Sequence, residues 1–119
     1  MPELRLHFKA GEGADLEAAA AALQKNLTEV RGVESADTRP QRFQSIGPAE
    51  IVSVIHVATS LVQNATLLLT ALAGFHAAWE KLKPAHPGVE APKAEVGLEL
   101  VPVKQITPEH QKELVEELE

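Results

Sequence analysis

Between Glu50 and Glu80 the chain reads IVSVIHVATSLVQNATLLLTALAGFHAAW, residues 51–79, a run of 29 positions without one Asp, Glu, Lys or Arg. In a chain that is 24% charged, so long an uncharged run belongs in a core, in an interface or in lipid. Val54, Val57, Leu61, Ala65, Leu68, Leu72, Phe75 and Trp79 recur at three- and four-residue intervals, so the spacing predicts one helix over residues 48–83 with a dry stripe along it. Gly47 suits the cap, Pro48 the first helical position, and Glu50 the positive end of the helix dipole; Pro84 supplies the stop. Such a helix would be roughly 50 Å long, longer than a small domain is wide.

A second face of the same predicted helix carries Ser53, His56, Ser60, Gln63, Leu67, Thr70 and Gly74, small or polar groups at close to heptad spacing. That is the kind of seam along which helices approach closely and hydrogen-bond across. Together with Trp79 at the far end, these residues are the predicted interface. A water-facing seam of this length would be expected to include Lys or Glu, and this one has neither.

Outward from this segment the pattern alternates. Leu4, Leu6 and Phe8 alternate with Arg5, His7 and Lys9, which predicts a strand with one buried face. Leu16, Ala20, Leu23, Leu27 and Val30 predict a helix that begins near Asp15 and stops at Gly32. Val33 to Arg39 follows as an extended segment before Pro40. Beyond the long helix, residues 84–93 form a Pro-rich connector, with Pro84, Pro87 and Pro92. Ala94, Val96, Leu98 and Leu100 then alternate with Glu95, Gly97, Glu99 and Val101 as one strand. Thr107-Pro108-Glu109 opens a last acidic helix with Leu114, Val115 and Leu118 on one side. The expectation is an α/β (α+β) fold in the order β-α-β-α-β-α, a small three-stranded sheet with one long uncharged central helix. The first two strands are expected to run parallel by the crossover rule.

Composition narrows the functional classes. At 119 residues the chain fits a single domain, 1–119. A net charge of -6 argues against a nucleic-acid partner, and three Phe, one Trp and no Tyr offer few stacking platforms. Zero cysteines exclude thiolate metal sites, disulfides and a cysteine nucleophile. The opening Met1-Pro2-Glu3-Leu4-Arg5 has no apolar h-region, so a cytoplasmic location is expected.

Candidate chemistry is sparse. His7, His56, His76, His86 and His110 are scattered and form no ligand pair at helical spacing, so no metal or other cofactor is expected. Gly11-Glu12-Gly13 lies where dinucleotide folds carry a glycine loop. It lacks the third glycine, and Glu12 and Asp15 would repel phosphate. No serine sits in a Gly-x-Ser-x-Gly context, and the terminal carboxylates Glu113, Glu116, Glu117 and Glu119 are a solvated acidic end. The reading is that this is not an enzyme.

The opening strand Leu4-Arg5-Leu6, the helix from Asp15, the second extended segment, the Gly47-started uncharged helix ending in Trp79 with Lys81, and the closing strand and helix resemble the effector-associated constant component family of bacteria. The resemblance covers most of the chain and contains no catalytic motif. It implies a non-catalytic adaptor or assembly subunit of a bacterial conflict system, which self-associates and binds a variable effector protein encoded nearby. Two features depart from that pattern: Asn64, Ala65 and Thr66 stand in the middle of the uncharged run, and only Lys81 and Lys83 follow the Trp. The alternative expectation is a membrane-associated protein whose uncharged helices bundle in or on a bilayer, with the polar seam turned inward.

Overall fold

The computed structural model describes residues 3–11, 15–41 and 49–118. Its elements are β1 (Glu3–Ala10), α1 (Leu16–Thr28), β2 (Val33–Gln41), β3 (Ala49–Val57), α2 (Thr59–Gln63), α3 (Ala65–Leu82), β4 (Lys93–Val96), β5 (Glu99–Pro102), a 3-10 turn at Val103–Gln105, and α4 (Pro108–Leu118). The five strands form one sheet in the order β2-β3-β1-β4-β5, every neighbouring pair antiparallel. β1 and β2 run in the same direction, but β3 is inserted between them, which is the split βαβ arrangement.

The mixed α/β class expected from the sequence holds, and the three-stranded sheet is corrected to five strands. Two separate misreadings account for the difference. The first is the helix over residues 48–83, whose opening quarter is a strand. Ile51, Val52, Val54, Ile55 and Val57 are β-branched, stiff at χ1 and suited to a pleated surface. β3 pairs with β1 from Ala49 opposite Ala10 to His56 opposite Glu3, and with β2 on its other side. Helical structure begins only at Thr59 and is interrupted at Asn64, whose backbone is extended. The Asn64 side chain then caps α3, its Oδ1 accepting from the backbone N–H groups of Thr66 and Leu67 at 3.0 and 3.3 Å. Gly47 and Pro48, read as the helix start, lie outside the described residues, as do Glu12 and Gly13 of the glycine turn.

The second misreading is the single strand from Ala94 to Val101. It is a hairpin, with Val96 opposite Glu99 and Gly97-Leu98 as the turn. Gly97 has φ +61 and no other residue in the turn has positive φ, which fits the II′ class with glycine first. The turn shifts the phase of alternation. Ala94, Val96 and Val101 are buried, while Leu98 and Leu100 are exposed.

α1 and α3 pack on each other and cover one face of the sheet. That core contains Leu4, Leu6 and Phe8 of β1, Ile51 and Ile55 of β3, Leu23 and Leu27 of α1, and Leu68, Leu72 and Phe75 of α3. Each such large side chain contributes about 1.5–3 kcal/mol when removed from water. The Leu68-Leu72-Phe75 part of the predicted dry stripe is therefore real, although it faces this chain's own sheet. α4 packs on α2 and β4 through buried Leu114 and Leu118. Its start is a reciprocal cap. The Thr107 hydroxyl accepts from the His110 N–H at 3.2 Å, and His110 Nδ1 accepts from the Thr107 N–H at 3.2 Å.

The Pro-rich connector returns along β1 rather than through solvent. Ala10 and Val89 form a bridge, Gly11 donates to the Gly88 carbonyl at 3.0 Å, and Glu90 donates to the Lys9 carbonyl at 2.6 Å. No helix among the described residues is long and apolar enough to cross a membrane.

Candidate functional site

The eight residues of the predicted interface do not share one surface, because the seam that joined them required one continuous helix. Ser53 lies on the covered face of β3, fully buried, and its hydroxyl finds no hydrogen-bond partner. His56 lies on the opposite face of the same sheet, 3.8 Å from the carboxylate of Glu3. Ser60 and Gln63 are exposed on α2. Trp79 is half-buried, and its indole N–H donates to the Val89 carbonyl at 2.9 Å, holding the end of α3 to the connector. The Lys83 ammonium sits 5.0 Å from the centre of the Trp79 ring system. Trp79 is therefore an internal clasp.

Only Leu67, Thr70 and Gly74 stay together, along α3. Part of this seam is used within the chain. A methyl on Gly74 would lie 2.7 Å from Val30, so glycine is what lets the end of α1 approach α3 so closely. The groove beside this contact holds about 230 Å³ and is edged by Asn26, Glu29, Arg31 and Lys81.

The outer side of α3 differs. Thr66, Leu69, Thr70, Ala73 and Ala77 are exposed in succession, and none carries a charge. Leu69 keeps 46% of its surface in water, one of three large hydrophobics exposed among the described residues, with Leu98 and Leu100. Next to it, α3 and the turn at Val103–Gln105 enclose a cleft of about 250 Å³, lined by Leu69, Leu72, Ala73, Val103 and Ile106 with His76 and Lys104 at its edge. His76 is held by its own helix, its Nε2 2.8 Å from the Glu80 carboxylate. No pattern in the sequence singles out Leu69, Ala73 or Ile106. Leu69 and Ala73 fall between the two stripes of the predicted helix, and Ile106 comes from a segment more than thirty residues away.

A second cluster lies on the sheet face away from the helices. His7, on the central strand, has Nδ1 2.6 Å from Glu50 on β3 and Nε2 3.3 Å from Glu95 on β4. A neutral imidazole has one N–H to give, and the imidazolium donates to both carboxylates. With Lys9 opposite Glu50 in the register, the cluster alternates in charge across three strands. The two carboxylates lie on opposite edges of the ring, so the arrangement ties the three strands together. Among the described residues, no group of three or more His, Asp or Glu is placed to hold a metal ion.

No family model matches the chain, and no curated protein matches it. Among solved structures, it is similar to the solution NMR structure of a de novo designed protein with a ferredoxin fold, at 15% identity and a TM-score of 0.40, over 83% of this chain and 88% of that one.

Proposed function

We propose that the chain is a non-catalytic assembly subunit, which self-associates and presents a binding face to a variable effector protein of a bacterial conflict system. The observation that carries the reading is the outer side of α3, where Thr66, Leu69, Thr70, Ala73 and Ala77 are exposed without a charge beside an apolar cleft. Leu69 and the apolar cleft beside it together offer a partner apolar surface to bury, which is what supports the reading. The resemblance to the effector-associated constant component family supplies the class of partner.

The test is the particle mass of the detergent-free protein by light scattering on a sizing column, for the wild type and for Leu69→Glu. The reading expects wild-type mass above that of the 12.8 kDa chain and a return toward it in the variant. A wild type that stays monomeric at every concentration, or an assembly indifferent to Leu69→Glu, overturns it. Co-purification with the protein encoded beside it, lost in the same variant, tests the effector half.

A further inference from the structure

The tip of the β4–β5 hairpin carries an apolar side chain that none of the described residues covers. Leu98 is 106% exposed relative to its reference state, the extreme among the large hydrophobics of the described residues. The backbone holds it there, because a two-residue turn with glycine in the first position points the second side chain away from the sheet. The surroundings of the tip are acidic. Glu99 follows in sequence with 76% of its side chain exposed, its carboxylate 4.0 Å from His110 Nε2. The carboxylates of Glu113 and Glu117 reach toward Gly97, to within 2.6 and 3.5 Å of where a methyl on it would sit.

The cleft beside α3 is the complement of this tip. Its interior is Leu69, Leu72, Ala73, Val103 and Ile106, and its volume of about 250 Å³ holds a leucine side chain with room to spare. Lys104 at the edge is exposed and makes no ion pair among the described residues. The second edge residue, His76, is paired with Glu80 of its own helix. An acidic rim around an apolar knob thus meets a cleft whose unpaired charge is positive, the arrangement that selects one docking orientation.

The knob does not fill the cleft of its own chain. Leu98 precedes β5 and Val103 follows it, so the strand separates them by roughly 13–17 Å at about 3.3 Å per residue. Knob and cleft are different patches of one surface, and a contact between them in two copies leaves a knob unused on one and a cleft unused on the other.

We infer that copies of this chain associate head to tail, Leu98 of one inserting between α3 and the Val103–Gln105 turn of the next. This rests on the assembly reading above and gives it a geometry. The contact is small, so the assembly is weak and grows with concentration.

The experiment is sedimentation velocity from about 10 µM to about 1 mM, a range that brackets the affinity of a contact this small. It compares wild type, Leu98→Glu, which removes the knob, and Ala73→Glu, which places an acid in the cleft on an exposed helical position that Glu suits. Wild type is expected to rise in average mass with concentration, and each variant alone to stay at one chain. Mixed in equal amounts, the two variants are expected to form one-to-one pairs that grow no further, because each lacks one half of the contact. That recovery also shows both variants folded. If wild type assembles and Leu98→Glu assembles equally well, the head-to-tail contact is wrong while the assembly reading survives. If the mixed variants do not pair, the contact is likewise wrong. If wild type is monomeric throughout, both fail.

Discussion

Ser53 is the residue whose position says most about how the chain spends its polar groups. It sits on the covered face of β3 between Leu6 on β1 and Thr38 on β2, fully buried. Thr38 directs its hydroxyl to the Ala20 carbonyl at 2.7 Å, whereas Ser53 has no such outlet. Burying an unpaired hydroxyl costs about 1–3 kcal/mol in proteins. Ser53→Ala is therefore expected to raise the unfolding free energy by about 1 kcal/mol, read as a higher urea midpoint with an unchanged slope. A lower midpoint would mean that the hydroxyl is paired in solution. Ser53 is legible in the sequence as a polar residue in an apolar run, and a place in an interface follows for it only if that run is helical, whereas it is a strand. His7 was not legible at all. Its partners Glu50 and Glu95 are 43 and 88 residues away, and no spacing rule joins three strands before their order is known.

At the scale of elements, the sequence was clearest where one period dominates. The alternation of β1, the apolar positions of α1 with Asp15 at its cap, and the start of α4 at Thr107-Pro108 all appear where their patterns put them. The uncharged run failed because strand and helix were fused. A strand buried on one face and partly shielded on the other needs few charges, and its apolar residues also satisfy a helical period over short windows. Two local signals separate the halves: the β-branched series from Ile51 to Val57, and Asn64, a good cap residue before Ala65. Asn64 is thus the point at which the chain commits to α3. Replacing it by alanine removes both bonds from its Oδ1 to the first turn and should cost about 1 kcal/mol, within the range of about 0.5–2 for lost caps. Thermal unfolding by circular dichroism measures this, and Asn64→Asp or Asn64→Ser should recover most of the loss. An alanine variant as stable as wild type would show that the Leu68-Leu72-Phe75 packing alone fixes the start of the helix.

The whole molecule is ordered by β1, and this has a kinetic consequence. The first strand of the chain is the middle strand of the sheet, flanked by β3 and β4. It is completed only when Leu6 meets Ser53 on one side and Ala94 on the other, so no neighbour of the central strand is local in sequence. The crossover rule gives β1 and β2 the same direction, as they have, and β3, which lies within the predicted helix, is the strand that separates them. Loops of this length must close before their contacts stabilise anything, and folding slows accordingly. Folding is expected in milliseconds to seconds rather than microseconds. The single tryptophan makes this measurable by stopped-flow fluorescence. Trp79 is anchored to Val89 on the connector that bridges to β1, so its emission is expected to report the docking of α3 on that connector. Val54→Ala, on the side of β3 away from the helices, should accelerate unfolding more than it slows folding if β3 joins β1 after the rate-limiting step. If it slows folding by the full loss of stability, the β1–β3 pairing is part of the nucleus, and the central strand is recruited from the start.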